Sequence, residues 1–158
     1  NLVCILREKE FKSDNIKQII EKKILNQNQK LKDLFQDDLK PWPLYSSQKI
    51  IPSNNKKVFY VGDAFYGFLP TFAQGASQSI EGAFDLFNLL KENNNDTYNI
   101  YFKKRLERAK LIKKRSNFNF FAFHFSSSIM QKIRNFFLKL LVKRKDFIDS
   151  YLGKVYKN

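Results

Sequence analysis

Glycine is scarce in this chain, five residues in 158, at positions 62, 67, 75, 82 and 153. No Gly-x-Gly-x-x-Gly turn, the backbone cradle for a dinucleotide pyrophosphate, can be assembled from them. The single cysteine, Cys4, excludes an intrachain disulfide; set in an apolar run, it reads as a small core residue in a reducing compartment. The single histidine, His124, has no cysteine or acidic neighbour, so neither a metal site nor a Ser-His-Asp arrangement has support, and it reads as part of an aromatic packing face with Phe118, Phe120, Phe121, Phe123 and Phe125. No apolar run reaches the eighteen or so residues that a transmembrane helix needs. The chain opens at Asn1 without an initiator Met, already inside an apolar run, as a piece of a longer protein would.

Acidic residues are also few, 15 against 29 Lys and Arg, a net charge of +14. Lysine supplies 23 of those cations, and Asn, Ile, Phe and Tyr are plentiful too. All five have AT-rich codons, so compositional bias alone produces this pattern. The excess is uneven: residues 80–158 carry 17 basic and 7 acidic side chains. A basic second half attracts anionic surfaces.

What the chain does have is one stretch with the order of a ligand site, Lys57 to Leu90. Val58, Phe59, Tyr60 and Val61 form a β-branched and aromatic run that Gly62-Asp63 stops, which predicts a strand. A loop with Gly67 and Pro70 follows. From Gln74 the apolar residues return at helical spacing, Ala76, Ile80, Ala83, Phe84, Phe87 and Leu90 sharing one stripe. In open α/β sheets ligands sit beyond the carboxyl ends of strands. There Asp63 can accept hydrogen bonds from a sugar or ribitol hydroxyl, and the helix-start amides around Gly75, Ala76 and Ser77 suit an electron-rich ligand edge. Gly75 admits a close backbone approach and Pro70 stiffens the loop. The other reading of these residues is a loop whose Asp caps its own neighbours.

Gly62-Asp63-Ala64, Leu69-Pro70, Ala73-Gln74-Gly75-Ala76 and Ile80-Glu81-x-Ala83 together resemble the second FAD motif of the class A flavoprotein monooxygenases, the aromatic hydroxylases. Ala-Gln-Gly-Ala is more similar to the salicylate hydroxylase branch than to the ubiquinone hydroxylases. The resemblance implies that Asp63 holds the flavin ribitol and that Gly75, Ala76 and Ser77 face the N1 and O2 edge, with Gly62, Pro70 and Gln74 shaping the cofactor site. Trp42-Pro43-Leu44, Tyr101, Arg105, Arg108 and Arg134-Asn135 fall at tolerated distances, so the likeness spans most of the chain. Three positions depart from it: Phe65 and Tyr66 stand where Ala-His is usual, and Gly82 where an acid is usual.

Elsewhere, residues 2–7 read as a strand, 8–12 as its turn, and Ser13 to Phe35 as two helices or one bent one. Lys40-Pro41-Trp42-Pro43 breaks helix; Trp42 packs in the core or touches substrate. Leu44 to Ile51 predicts a strand and Pro52–Asn55 a turn. Tyr98 to about Phe125 predicts a long helix with Tyr101, Leu106, Ala109 and Ile112 on one side, and Arg105 and Arg108 in reach of Asp85 or Glu81. Ser128 to Lys145 is a second amphipathic helix, its stripe Ile129, Ile133, Phe136, Phe137, Leu140 and Leu141; it either docks on protein, which is favoured, or lies in a membrane interface. Tyr151-Leu152-Gly153 resembles the aromatic tail that closes many members of the family.

The expected architecture is therefore α/β: the C-terminal portion of a two-domain FAD-binding fold, mostly helical with a few strands. It comprises a remnant of the substrate domain (1–51), the FAD-binding strand-loop-helix (52–97) and C-terminal helices (98–158). The resemblance implies an FAD-dependent, NAD(P)H-using monooxygenase that hydroxylates a small phenolic substrate with O2, cytoplasmic or peripheral to a membrane, the ADP-binding half lying outside these residues. The portion alone is expected to be inactive and to bind little FAD. The rival is a non-catalytic basic helical module on anionic membrane or nucleic acid. Aromatics on apolar stripes, rather than interleaved with Lys on an exposed sheet, argue against nucleic acid.

Overall fold

Every regular element among the described residues is helical, and no strand is present among them. The structure, a computed structural model, describes residues 42–156 together with Ile5 and Gln18. The chain divides into two compact units, Asn1–Pro43 and Leu44–Asn158, and the three longer helices all belong to the second. Apart from Ile5 and Gln18, the expected strand at 2–7, its turn at 8–12, Cys4, the helices from Ser13 to Phe35 and Lys40-Pro41 lie outside the described residues.

The α/β expectation is overturned at both strands that can be checked. Residues 58–61 join no ladder: the Val58 N–H donates to Asn55 O at 2.9 Å, in the turn before it, and the Tyr60 carbonyl is taken by a helix. Tyr60 O accepts a 2.9 Å hydrogen bond from the Tyr101 hydroxyl, and the Phe59 ring packs 5.6 Å from Tyr98 and 5.7 Å from Tyr101. The period-2 pattern still sets the faces, with Phe59 half-buried between exposed Val58 and Tyr60. Residues 44–51 are irregular as well; Ser47 ties them down, its N–H donating to Gly67 O at 2.9 Å and its hydroxyl accepting from Gly67 N at 2.9 Å. Trp42, expected in a core or against substrate, is 77% exposed.

Three longer helices carry the described residues. α1 spans Gly75–Lys91, α2 spans Thr97–Phe123 and α3 spans Ser128–Leu141. They are followed by a short helix α4, Lys145–Ile148, a π turn over Asp149–Gly153 and a last helical turn, Lys154–Tyr156. Asn93, at φ 49, turns the chain between α1 and α2, where Asn94 takes the Asp96 N–H on its side chain and the Thr97 hydroxyl on its carbonyl. The buried face of α2 repeats every three or four residues, through Tyr101, Arg105, Ala109, Ile112 and Ser116.

α1 turns its apolar stripe outward. Ile80 is 72%, Phe84 63%, Phe87 57% and Leu90 55% exposed, and Ala76 and Ala83 are exposed with them. Its buried face is Gln78, Gly82 and Asp85. The cause is Arg105 of α2, only 5% exposed, which needs acceptors. Its guanidinium donates to Glu81 Oε1 at 2.9 Å, Asp85 Oδ2 at 3.2 Å, Gln78 O at 3.1 Å and Gln78 Oε1 at 2.9 Å. Arg108 adds bonds to Glu81, and Lys104 lies 2.8 Å from Asp85 Oδ1. Gly82 lets the helices meet: a Cβ there would stand 3.4 Å from Arg105 Nε and 3.5 Å from Tyr101 Oη, with room for a methyl and little more.

The C-terminal turns close back on α2. Arg108 donates to Lys154 O at 2.8 Å and to Val155 O; Arg115 donates to Ser150 O at 3.0 Å and to Tyr151 O. The Tyr151 hydroxyl donates to Asn119 Oδ1 at 2.7 Å while its ring lies 5.5 Å from Phe147 and 5.9 Å from Phe72. The aromatic tail is thus a clasp across the loop that precedes α1.

Candidate functional site

Gly62 builds the first part of the site. At φ +61 it adopts a left-handed conformation that costs a side-chain-bearing residue energy, and it begins a 3-10 turn, Gly62–Ala64, closed by Phe65 and Tyr66 N–H groups on Gly62 O at 3.0 and 3.1 Å. The turn packs directly on α1, since a Cβ on Gly62 would stand 2.6 Å from Ser79 Oγ and 3.2 Å from Ser79 Cβ. Asp63, next along, is exposed.

Phe65 and Tyr66 have a packing role. Phe65 sets its ring 6.4 Å from Tyr101 and 5.8 Å from Phe102. Tyr66 is 4% exposed, with Phe68 at 4.9 Å and Lys113 Nζ 5.3 Å from its ring centroid. Aromatic residues at 65 and 66 thereby fasten the Asp63 turn to α2.

The loop between the turn and α1 is held from the same side. Pro70 opens a second 3-10 turn, Pro70–Phe72, which Ala73 ends at φ 50. The Thr71 hydroxyl donates to Ser116 O at 2.6 Å and Asn119 Nδ2 donates to Thr71 O at 3.1 Å. Gln74 is buried and precedes α1, and its side chain makes no bond to the first-turn N–H groups. Helix starts leave such donors unpaired within the helix. Ala76 and Ser77 are exposed, and nothing lies within 4 Å of where a Gly75 Cβ would be. Ser79, one turn on, donates its hydroxyl to Gly75 O at 3.0 Å.

Of the residues expected to touch the cofactor, Gly62 packs on Ser79, one turn into the helix that begins with Gly75, Ala76 and Ser77, and Asp63, Ala76 and Ser77 are open to solvent. Pro70 and Gln74 are structural parts of the connecting loop. Sequence reasoning missed Ser79, which receives the turn, Thr71, which pins the loop, and Gln78, which with Asp85 binds Arg105. The repeat Gln74, Gln78, Asp85 at helical spacing was the available signal for a polar packing face. Arg105 and Arg108, expected to pair with Asp85 or Glu81, do so.

A cavity of about 230 Å³ opens elsewhere, lined by Ser46, Gln48, Tyr66, Phe68, Lys113 and Ser116 among others, and none of the expected cofactor residues borders it. Ser116 Oγ is buried there without a hydrogen-bond partner. His124 ends α2 with Nδ1 2.6 Å from Phe120 O and its ring 4.3 Å from the Phe120 ring. Among the described residues no group of His, Cys, Asp and Glu could hold a metal ion, and no helix is long and apolar enough to cross a membrane. No protein-family model, curated protein or solved structure matches the chain.

Proposed function

We propose that residues 62–77 hold the ribityl chain and the electron-rich flavin edge of FAD, in the C-terminal part of an NAD(P)H-dependent, cytoplasmic monooxygenase acting on a phenolic ring. The observation that supports this reading is the packing of Gly62 on Ser79, one turn into α1, which brings the turn carrying exposed Asp63 against a helix whose first turn has no side-chain cap. A carboxylate accepts hydrogen bonds from ribityl hydroxyls, and first-turn amides donate to a carbonyl-rich ring edge. Gly75 admits that edge without a Cβ in the way.

FAD supplies the redox and oxygen chemistry when bound, and the protein's part is orientation and electrostatics. Asp63 fixes the ribityl chain, the α1 amides favour negative charge on the ring edge, and the Arg105 network holds α1 still while they do so. The exposed stripe of Ile80, Phe84, Phe87 and Leu90 is the face on which the rest of such a protein would pack.

The test in the intact protein is Asp63→Ala. FAD affinity should fall at least about tenfold, the loss of one charge-assisted hydrogen bond, while the melting temperature of the apoprotein stays put. Unchanged FAD affinity in a folded variant would exclude the reading.

A further inference from the structure

We propose that α3, together with the segment of α2 to which it is tied, binds the interface of an anionic lipid bilayer. The sequence favoured docking of this helix on protein; in the structure no residue of α3 is buried. At about 100° per residue, Ile129, Ile133, Phe136, Phe137 and Leu140 fall within one arc of about 100°, and all five are 45% to 67% exposed. Lys132 and Lys139 follow one border of that arc, with Lys143 and Arg144 in the turn beyond and Lys145 at the start of α4. Long cations bordering an apolar arc can keep their heads among lipid headgroups while their stems and the arc enter the acyl boundary.

Charge selects the partner. Between His124 and Asp146 the chain carries six Lys and Arg and no acidic residue. A second copy of this surface would repel it, and an anionic headgroup layer complements it. Two hydrogen bonds tie the first half of the helix back to the chain before it: Arg134 donates to Ala122 O at 2.9 Å, a carbonyl that the end of α2 leaves unpaired, and Gln131 Nε2 donates to Phe125 O at 2.8 Å. Those bonds join α3 to the end of α2, where Phe118 at 60% and Phe121 at 61% exposed lie about one turn apart. Nucleic acid would use the cations and leave the apolar arc in water, whereas a bilayer engages both. No residue of the Asp63 site takes part, so bilayer binding is independent of flavin binding.

The test is co-sedimentation of the 158-residue chain with phosphatidylcholine vesicles, with and without phosphatidylserine, at physiological salt. Binding should require phosphatidylserine. Lys132→Glu with Lys139→Glu, and separately Phe136→Ser with Phe137→Ser, should each weaken it about tenfold or more, with the thermal melt unchanged because α3 buries nothing. Phe136→Trp in a Trp42→Phe background should shift the indole emission to the blue on binding and so reports insertion while keeping an aromatic ring in place. Binding of a duplex oligonucleotide should be indifferent to the Phe pair. Equal binding to both vesicle types, no binding, an unshifted emission from the introduced indole, or a folded Phe-pair variant that binds vesicles like the parent would overturn the proposal. FAD affinity is untouched by either result.

Discussion

Gly62 and Ser79 meet so closely that a methyl group on Gly62 would stand 2.6 Å from the Ser79 hydroxyl oxygen. Seventeen residues apart in sequence, this pair joins the turn that carries Asp63 to the helix whose start carries Gly75, Ala76 and Ser77. The positive φ of Gly62 and its lack of a Cβ are required together.

Gly62→Ala should therefore destabilise the chain by about 1–2 kcal/mol from the left-handed backbone, with a further cost where Ser79 Cβ cannot yield. Chemical denaturation checks this, and Ser79→Gly in the same chain should recover part of the loss. A Gly62→Ala variant as stable as the parent would mean that the turn does not pack on α1.

Arg105 serves two carboxylates and both oxygens of Gln78 from a position 5% exposed. Arg105→Ala leaves Asp85, itself 5% exposed, with Lys104 alone, and should cost about 3–5 kcal/mol. Gly82→Ala, at the same contact, should be neutral or stabilising by up to about 1 kcal/mol, because a methyl fits and alanine favours helix. Equilibrium unfolding of the two variants separates these effects.

The outward stripe of α1 makes an unusual expectation. Phe84→Ser and Phe87→Ser should each alter stability by no more than about 0.5 kcal/mol, as surface positions do, whereas Gln78→Leu, on the polar face, should be destabilising because Arg105 loses a side-chain acceptor. Costly phenylalanine substitutions in the 158-residue chain would mean that α1 turns a different face to α2.

Two of the longer helices were legible in the sequence, while the third, expected to run from Ser128 to Lys145, ends at Leu141. The apolar repeat from Gln74 to Leu90 gives α1 within a residue at each end, and Tyr98 to Phe125 gives α2 within two. What the pattern could not convey was partnership. Val58 to Val61 has strand composition, yet a strand needs a neighbour, and Tyr101 takes the carbonyl that a neighbour would have used. The burial of α1 was illegible for a related reason. Its buried face is chosen by Arg105, twenty residues beyond Asp85, and a hydrophobic repeat carries no information about a distant guanidinium. The candidate site was legible in its residue types, Gly62, Asp63 and Gly75, but not in Ser79 and Thr71, which hold it together.

Burial pushes the Tyr101 hydroxyl above its ordinary value of 10.0, with the Arg105 cation pulling it partly back and the Asp85 carboxylate adding to the rise. Tyr151 is raised by burial as well, against the opposing pull of Arg115. The folded chain holds these protons more tightly than the unfolded chain does, so their contribution is complete below the ordinary value of 10.0 and is lost as pH rises through the folded values. Tyr101→Phe should flatten that alkaline decline while losing about 1 kcal/mol at neutral pH with the bond to Tyr60 O. Denaturation midpoints measured from neutral pH into the alkaline range check both.

The most direct measurement of the flavin reading is the amide spectrum of the 158-residue chain titrated with riboflavin and, separately, with lumiflavin, which lacks the ribityl chain. Affinity should be weak, above micromolar, since only part of the cofactor's contacts are present. Riboflavin should move the resonances of Gly62, Asp63 and Gly75 to Ser77; lumiflavin should move Gly75 to Ser77 alone, and Asp63→Ala should weaken only the riboflavin response. Shifts centred elsewhere, or a riboflavin response indifferent to Asp63→Ala, would contradict the assignment of this turn and helix start to a flavin.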